Sequence, residues 1–138
     1  MNPDLVDMVE NFIDMSQKNK FNQSQFVGEW TLSKVYKDTY VDGQLTKSED
    51  VTSYYAAHEY TFNDNGTMRY SSTTGKWTYA HNFLIWSNQG IFSYEVVDVN
   101  ADKLVYRNQN IPLGGYYVNY YKDKRGTHLF TVYEYTRK

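Results

Sequence analysis

The side chains of this 138-residue chain best suited to acid–base or metal chemistry are its three histidines, His58, His81 and His128. None has a partner at ligand spacing: there is no His-x-x-x-His, no His-Glu-x-x-His and no carboxylate cluster at metal-loop spacing. His81 stands at a turn, which predicts solvent exposure. His58 precedes Glu59 in a strand pattern, where neighbours face opposite sides and do not cooperate directly. The chain also has no Gly-x-Ser-x-Gly elbow and no Gly-x-x-x-x-Gly-Lys phosphate loop. With no cysteine, disulfides, thiolate metal sites and cysteine nucleophiles are excluded. The residues therefore name no acid, base, nucleophile, metal ligand or cofactor, and only a composite site across strands stays open. The expectation is a protein that is not an enzyme.

What the chain has in quantity is aromatic surface: 15 Tyr, 7 Phe and 3 Trp make up 18% of it. Such rings suit strands and offer flat contact area with a polar edge. Against 14 Lys and Arg stand 16 Asp and Glu, a net charge of -2 with no basic block, so nucleic acid is not an expected partner. Asn22-Gln23-Ser24 and Asn65-Gly66-Thr67 match the glycosylation acceptor pattern, which means nothing without a secretory context.

Residues 1–20 read differently from the rest. Asn2-Pro3-Asp4 suggests an N-cap followed by proline at the first helical position, with Asp4 and Asp7 on the favourable end of the helix dipole. Leu5, Met8, Val9, Phe12, Ile13 and Met15 recur at helical spacing, and Lys18-Asn19-Lys20 closes the run. This predicts an amphipathic helix packed against the outside or across one end of the remaining fold. A docking role for a protein partner is the sharper alternative, while the acidic polar face argues against anionic lipid. The segment has neither the basic front nor the apolar run of an export signal, and it cannot span a membrane.

From Phe26 the pattern switches to period two. A first strand is expected over residues 27–37, with Asp42-Gly43 near a hairpin, and a polar stretch over residues 46–53 follows. Residues 58–62 alternate, Asn63-Asp64-Asn65-Gly66 turns, and Met68 and Tyr70 alternate again. Thr74-Gly75 reads as a turn into residues 76–79. Residues 83–86 form an apolar strand ended by Asn88-Gln89-Gly90, and Phe92, Tyr94 and Val96 share the face of the next. Asn100-Ala101-Asp102 leads to Leu104-Val105-Tyr106, Pro112 and Gly114-Gly115 punctuate the chain before residues 116–121, and residues 128–136 form the last strand. Eight or nine strands without interposed helices predict an antiparallel up-and-down barrel, because closure removes exposed edges. One domain is expected, with a helix and connection over residues 1–22 and the barrel over residues 23–138.

The order of landmarks resembles that of small bacterial lipocalin-like domains, β-barrels of the calycin type. These are Gly28-Glu29-Trp30, Tyr60-Thr61-Phe62 before Asn65-Gly66-Thr67, Gly75-Lys76-Trp77, Phe83-Leu84-Ile85-Trp86, Tyr94-Glu95-Val96, Leu104-Val105-Tyr106 and Tyr133-Glu134-Tyr135-Thr136-Arg137. The resemblance implies a barrel with a cavity at one end that binds a small hydrophobic or amphipathic molecule without catalysis. It also implies that Arg137 covers Trp30 beside Gly28 as a structural floor. It leaves open an exported domain, periplasmic or secreted, although the chain carries no export signal as written. Two departures are the missing cysteines and the N-terminal helix.

On a barrel, the period-two rule turns Tyr60, Phe62, Tyr70, Trp77, Tyr79, Tyr94, Tyr106 and Tyr133 inward as candidate ligand contacts. Either these rings line a cavity with hydroxyls that orient a ligand, or they fill the barrel, as eight strands permit. The alternative function is a surface module for a carbohydrate or a protein. It would use the outward member of each pair Tyr54-Tyr55, Tyr116-Tyr117 and Tyr120-Tyr121.

Overall fold

A computed structural model describes residues 2–111 and 116–138, so Pro112 and Gly114-Gly115 lie outside the described residues. Nine strands follow a short helix: α1 (Asp4–Val9), β1 (Gly28–Val41), β2 (Gln44–Asp50), β3 (Glu59–Phe62), β4 (Thr67–Tyr70), β5 (Thr73–Ala80), β6 (Phe83–Ser87), β7 (Ile91–Val99), β8 (Lys103–Asn110) and β9 (Thr127–Arg137). Each strand from β3 to β9 pairs antiparallel with the next, and β1 closes the ring between β3 and β9. Eight strands thus form the barrel. The ninth, β2, pairs with the far half of β1 through an Asp42-Gly43 hairpin, both of whose central residues take the positive φ of a two-residue I′ turn.

Every residue of β2 is exposed, which is why its sequence reads as a polar stretch and hides a strand. The Thr74-Gly75 pair lies inside β5, and the turn falls at Ser71-Ser72 instead. A Cβ at Gly75 would collide with the backbone carbonyl of Ser87, so this glycine lets β5 and the β6–β7 turn approach each other. The expected strand over residues 116–121 is irregular chain instead. Gln109 explains this, because its amide donates to the Val118 carbonyl at 2.7 Å and accepts from the Tyr120 N–H at 2.9 Å, replacing a ladder.

The closed end is built on the Gly28 and Trp30 pair. Arg137 lies over the Trp30 ring at 4.1 Å and donates to the carbonyls of Ala101, Val27 and Gln25. Gly28 has φ +139 and a Cβ there would strike the Arg137 guanidinium, so the glycine is the space through which that side chain passes. Above it, Phe26, Trp30, Phe62, Trp77 and Tyr79 form a packed floor, each at most 3% exposed.

The N-terminal helix is only six residues long, where the periodicity predicts most of residues 1–20. Asn2 does not cap it by its side chain: its amide donates across to the Gly66 and Trp77 carbonyls, tying the terminus to β5. After Val9 the Phe12 N–H bonds back three residues, and Asn119 captures the Asn11 carbonyl, which ends the helical ladder. Leu5, Val9 and Ile13 still cover the outer face of β6 at Phe83 and Ile85 in a second apolar cluster. Met8, Phe12 and Met15 remain 43–59% exposed, so the predicted apolar face is half used. Among the described residues no helix is long and apolar enough to cross a membrane.

Candidate functional site

The inward candidates separate by depth. Phe62 and Trp77 belong to the floor, with the Trp77 indole N–H held by the Asn63 carbonyl at 2.8 Å. Tyr79 is committed to structure, since its hydroxyl donates to Asn82 Oδ1 at 2.6 Å and accepts the N–H groups of Lys20 and Phe21. Tyr106 is 1% exposed and packs tilted against Tyr94, ring centroids 4.3 Å apart. Tyr70 stands at the rim, 41% exposed.

Tyr60, Tyr94 and Tyr133 form an upper ring of hydroxyls. Burial, then neighbouring tyrosines, pushes Tyr60 and Tyr133 up to about 12 and raises Tyr94 further. Of the surface pairs, Tyr54 and Tyr116 are 84% and 94% exposed beside half-buried Tyr55 and Tyr117, while in the turn Tyr120 is buried and Tyr121 half-buried.

His58 joins this interior. Tyr106 donates its hydroxyl proton to Tyr135 at 2.7 Å, and Tyr135 meets His58 Nε2 at 2.8 Å while Nδ1 faces the Ala56 carbonyl at 3.3 Å. The chain is consistent with a neutral imidazole that accepts at Nε2 and donates at Nδ1. Burial holds His58 below the usual imidazole range, against the opposing Ala56 contact. The unfolded chain therefore takes up this proton first as pH falls below about 6.5. The stabilisation is complete above that pH and is lost on acidification. Melting temperature is expected to drop between about pH 7 and pH 5, and His58→Gln should flatten the slope; an unchanged slope would remove His58 as its source.

A cleft opens where β7 and β8 separate. Their ladder ends at the Glu95 and Arg107 pair, so residues 91–94 of β7 and 108–110 of β8 face each other unpaired, although each strand keeps its other neighbour. The cleft holds about 300 Å³ and runs from the outer surface past exposed Phe92 to buried Tyr94, walled outside by Val9, Phe12, Tyr117 and Tyr121. Trp86 backs Tyr94 at 4.9 Å.

The base of the cleft is ionic. Arg107 Nε donates to Glu95 Oε1 at 2.6 Å, Tyr121 donates to the same oxygen, and Gln17 donates to Oε2. Arg107 also reaches the Tyr40 hydroxyl and lies 4.4 Å over Phe130. Burial works against its charge, but Glu95, with Tyr121 and Tyr40, outweighs this and raises the guanidinium above its ordinary value. Arg107 is thus neutralised in place.

Of the eight inward candidates only Tyr94 lines this cleft. Sequence reading missed Asn108, which the period-two rule places on the Tyr106 face, and the helix and residues 116–121 that form the outer wall. Among the described residues no group of three or more His, Cys, Asp or Glu could hold a metal ion. No curated protein matches the chain. The lipocalin-like domain family matches residues 26–106, from the approach to β1 into β8 and more than half of the chain, and the protein belongs to that family.

Proposed function

We propose that the protein binds a small hydrophobic or amphipathic molecule, without catalysis, in the aromatic cleft between β7 and β8. The observation that carries this reading is the end of the β7–β8 ladder at Glu95, which leaves about 300 Å³ open from the surface to Tyr94. That volume sits at the lower end of the roughly 300–1,000 Å³ typical of small-molecule sites. The floor below supports the same placement, because its rings already fill the deep barrel.

The test is fluorescence titration with the neutral probe N-phenyl-1-naphthylamine. Saturable binding is expected, weakened at least about tenfold by Ser93→Trp, which sets an indole in the cleft, and unaffected by Lys47→Trp on β2. No saturable binding by the native protein, or equal binding by Ser93→Trp, would overturn the proposal. Loss on Tyr54→Ala or Tyr116→Ala, with Ser93→Trp unaffected, would move the function to the aromatic surface.

A further inference from the structure

We propose that the protein self-associates as a two-fold dimer through the free edge of β2, two copies of which pair antiparallel about Ser48. β2 stands at the end of the sheet order with β1 as its one neighbour, and every one of its residues is exposed. Its main-chain phase follows from one bond. The Val51 N–H donates to the Val35 carbonyl at 2.9 Å, and the register runs on with Lys37 opposite Glu49 and Thr39 opposite Lys47. Antiparallel bonding alternates, so Glu49 and Lys47 spend their main-chain groups on β1 while Ser48 and Asp50 turn theirs outward. Among the described residues no strand pairs with that outer edge. The edge is also held in place at both ends. The Asp42 N–H donates to the Gly126 carbonyl and the Asp42 carboxylate accepts the Gly126 N–H, while the N–H and hydroxyl of Thr52 both donate to the Asp50 carboxylate.

The charges select a second copy as the occupant. Strand edges are commonly guarded by a lysine, which repels an identical edge. Here Glu49 follows Lys47 on the same face, since residues two apart in a strand share one. With the phase fixed, two such edges pair about a residue and not between residues. An axis at Lys47 or at Glu49 sets like charge on like charge. An axis at Ser48 sets Lys47 opposite Glu49 of the second copy, and symmetry does so twice. Lys37 already faces Glu49 from β1, so each Glu49 then lies between two lysines. The same register brings Leu45, 53% exposed, level with Val51 of the second copy, at the turn that carries Tyr54, 84% exposed.

A joint over residues 46–50 is small and belongs with the weak interfaces that form as concentration rises. Sedimentation equilibrium of the full chain from roughly 10 μM to 1 mM is expected to show monomers passing to dimers, with less dimer at high salt. Lys47→Glu and Glu49→Lys should each lower the association constant at least about tenfold. An equimolar mixture of the two variants should restore it, because every reversed charge again meets its opposite. In the native protein, amide exchange at Ser48 and Asp50 should slow between the dilute and the concentrated sample. A native protein that stays monomeric over this range would overturn the proposal and leave the edge to an extended segment of another protein. Dimers that persist unchanged in both variants, a mixture no more associated than either variant alone, or unchanged exchange at Ser48 and Asp50 would each overturn it as well.

Discussion

Glu95→Leu is expected to destabilise the protein by about 3–5 kcal/mol, because it leaves the Arg107 guanidinium buried without its counter-charge. The pair is largely withdrawn from water, with side chains 17% and 11% exposed for Arg107 and Glu95. Glu95 is also the point where three parts of the chain meet: β8 through Arg107, the 116–121 segment through Tyr121, and the N-terminal segment through Gln17. The double variant Glu95→Leu/Arg107→Met removes both charges and should be more stable than Glu95→Leu alone. Urea unfolding of the two singles and the double measures this as a coupling energy. Independent, additive losses would show that the two charges do not act as a unit. Since the pair forms the base of the cleft, Glu95→Leu should also weaken probe binding.

The second large effect belongs to Trp86. This ring is 1% exposed and lies within 6 Å of the rings of Tyr60, Phe62, Phe92, Tyr94 and Tyr106, so it joins the floor to the tyrosine ring above. Trp86→Ala should cost about 3–5 kcal/mol, the sum of lost burial and the void left behind. The void has a functional consequence. It lies directly behind Tyr94, so a barrel now filled at that level would become hollow and connected to the cleft. An apolar probe should then raise the melting temperature of Trp86→Ala more than that of the native protein, as ligand linkage requires. If the probe stabilises both equally, the surrounding rings have collapsed into the gap and Trp86 is not the plug.

The barrel was legible because its signals are local. Period-two alternation from Phe26 onward, the Asp42-Gly43 and Asn65-Gly66 turns, and Gly28 two residues before Trp30 each require only a strand and its pleat. Arg137 over Trp30 was legible through the family resemblance and not through any spacing, since 107 residues separate them. Where the reading failed, competition from distant groups decided. The N-terminal helix has a continuous helical pattern, yet Asn119 takes its Asn11 carbonyl. Residues 116–121, rich in tyrosine, read as a strand, yet Gln109 occupies two of their backbone groups. In both of these, a side chain outside the segment, 108 residues away for Asn119 and 9 or 11 for Gln109, substitutes for a local hydrogen bond.

The candidate site shows the same division more sharply. Sequence alone determined an aromatic, nearly neutral, antiparallel barrel, and it placed Tyr94 and its neighbours on the inner face, because side-chain direction in a strand follows from position. It could not say that Phe62, Trp77 and Tyr79 would close with Phe26 and Trp30 as a floor, since packing depends on how all the strands curve together. Only the tertiary structure parted β7 from β8 above Glu95, set the helix and the 116–121 segment over the gap, and drew His58 to Tyr135. A ladder ends where its partner strand turns away, and that depends on contacts made by the whole chain.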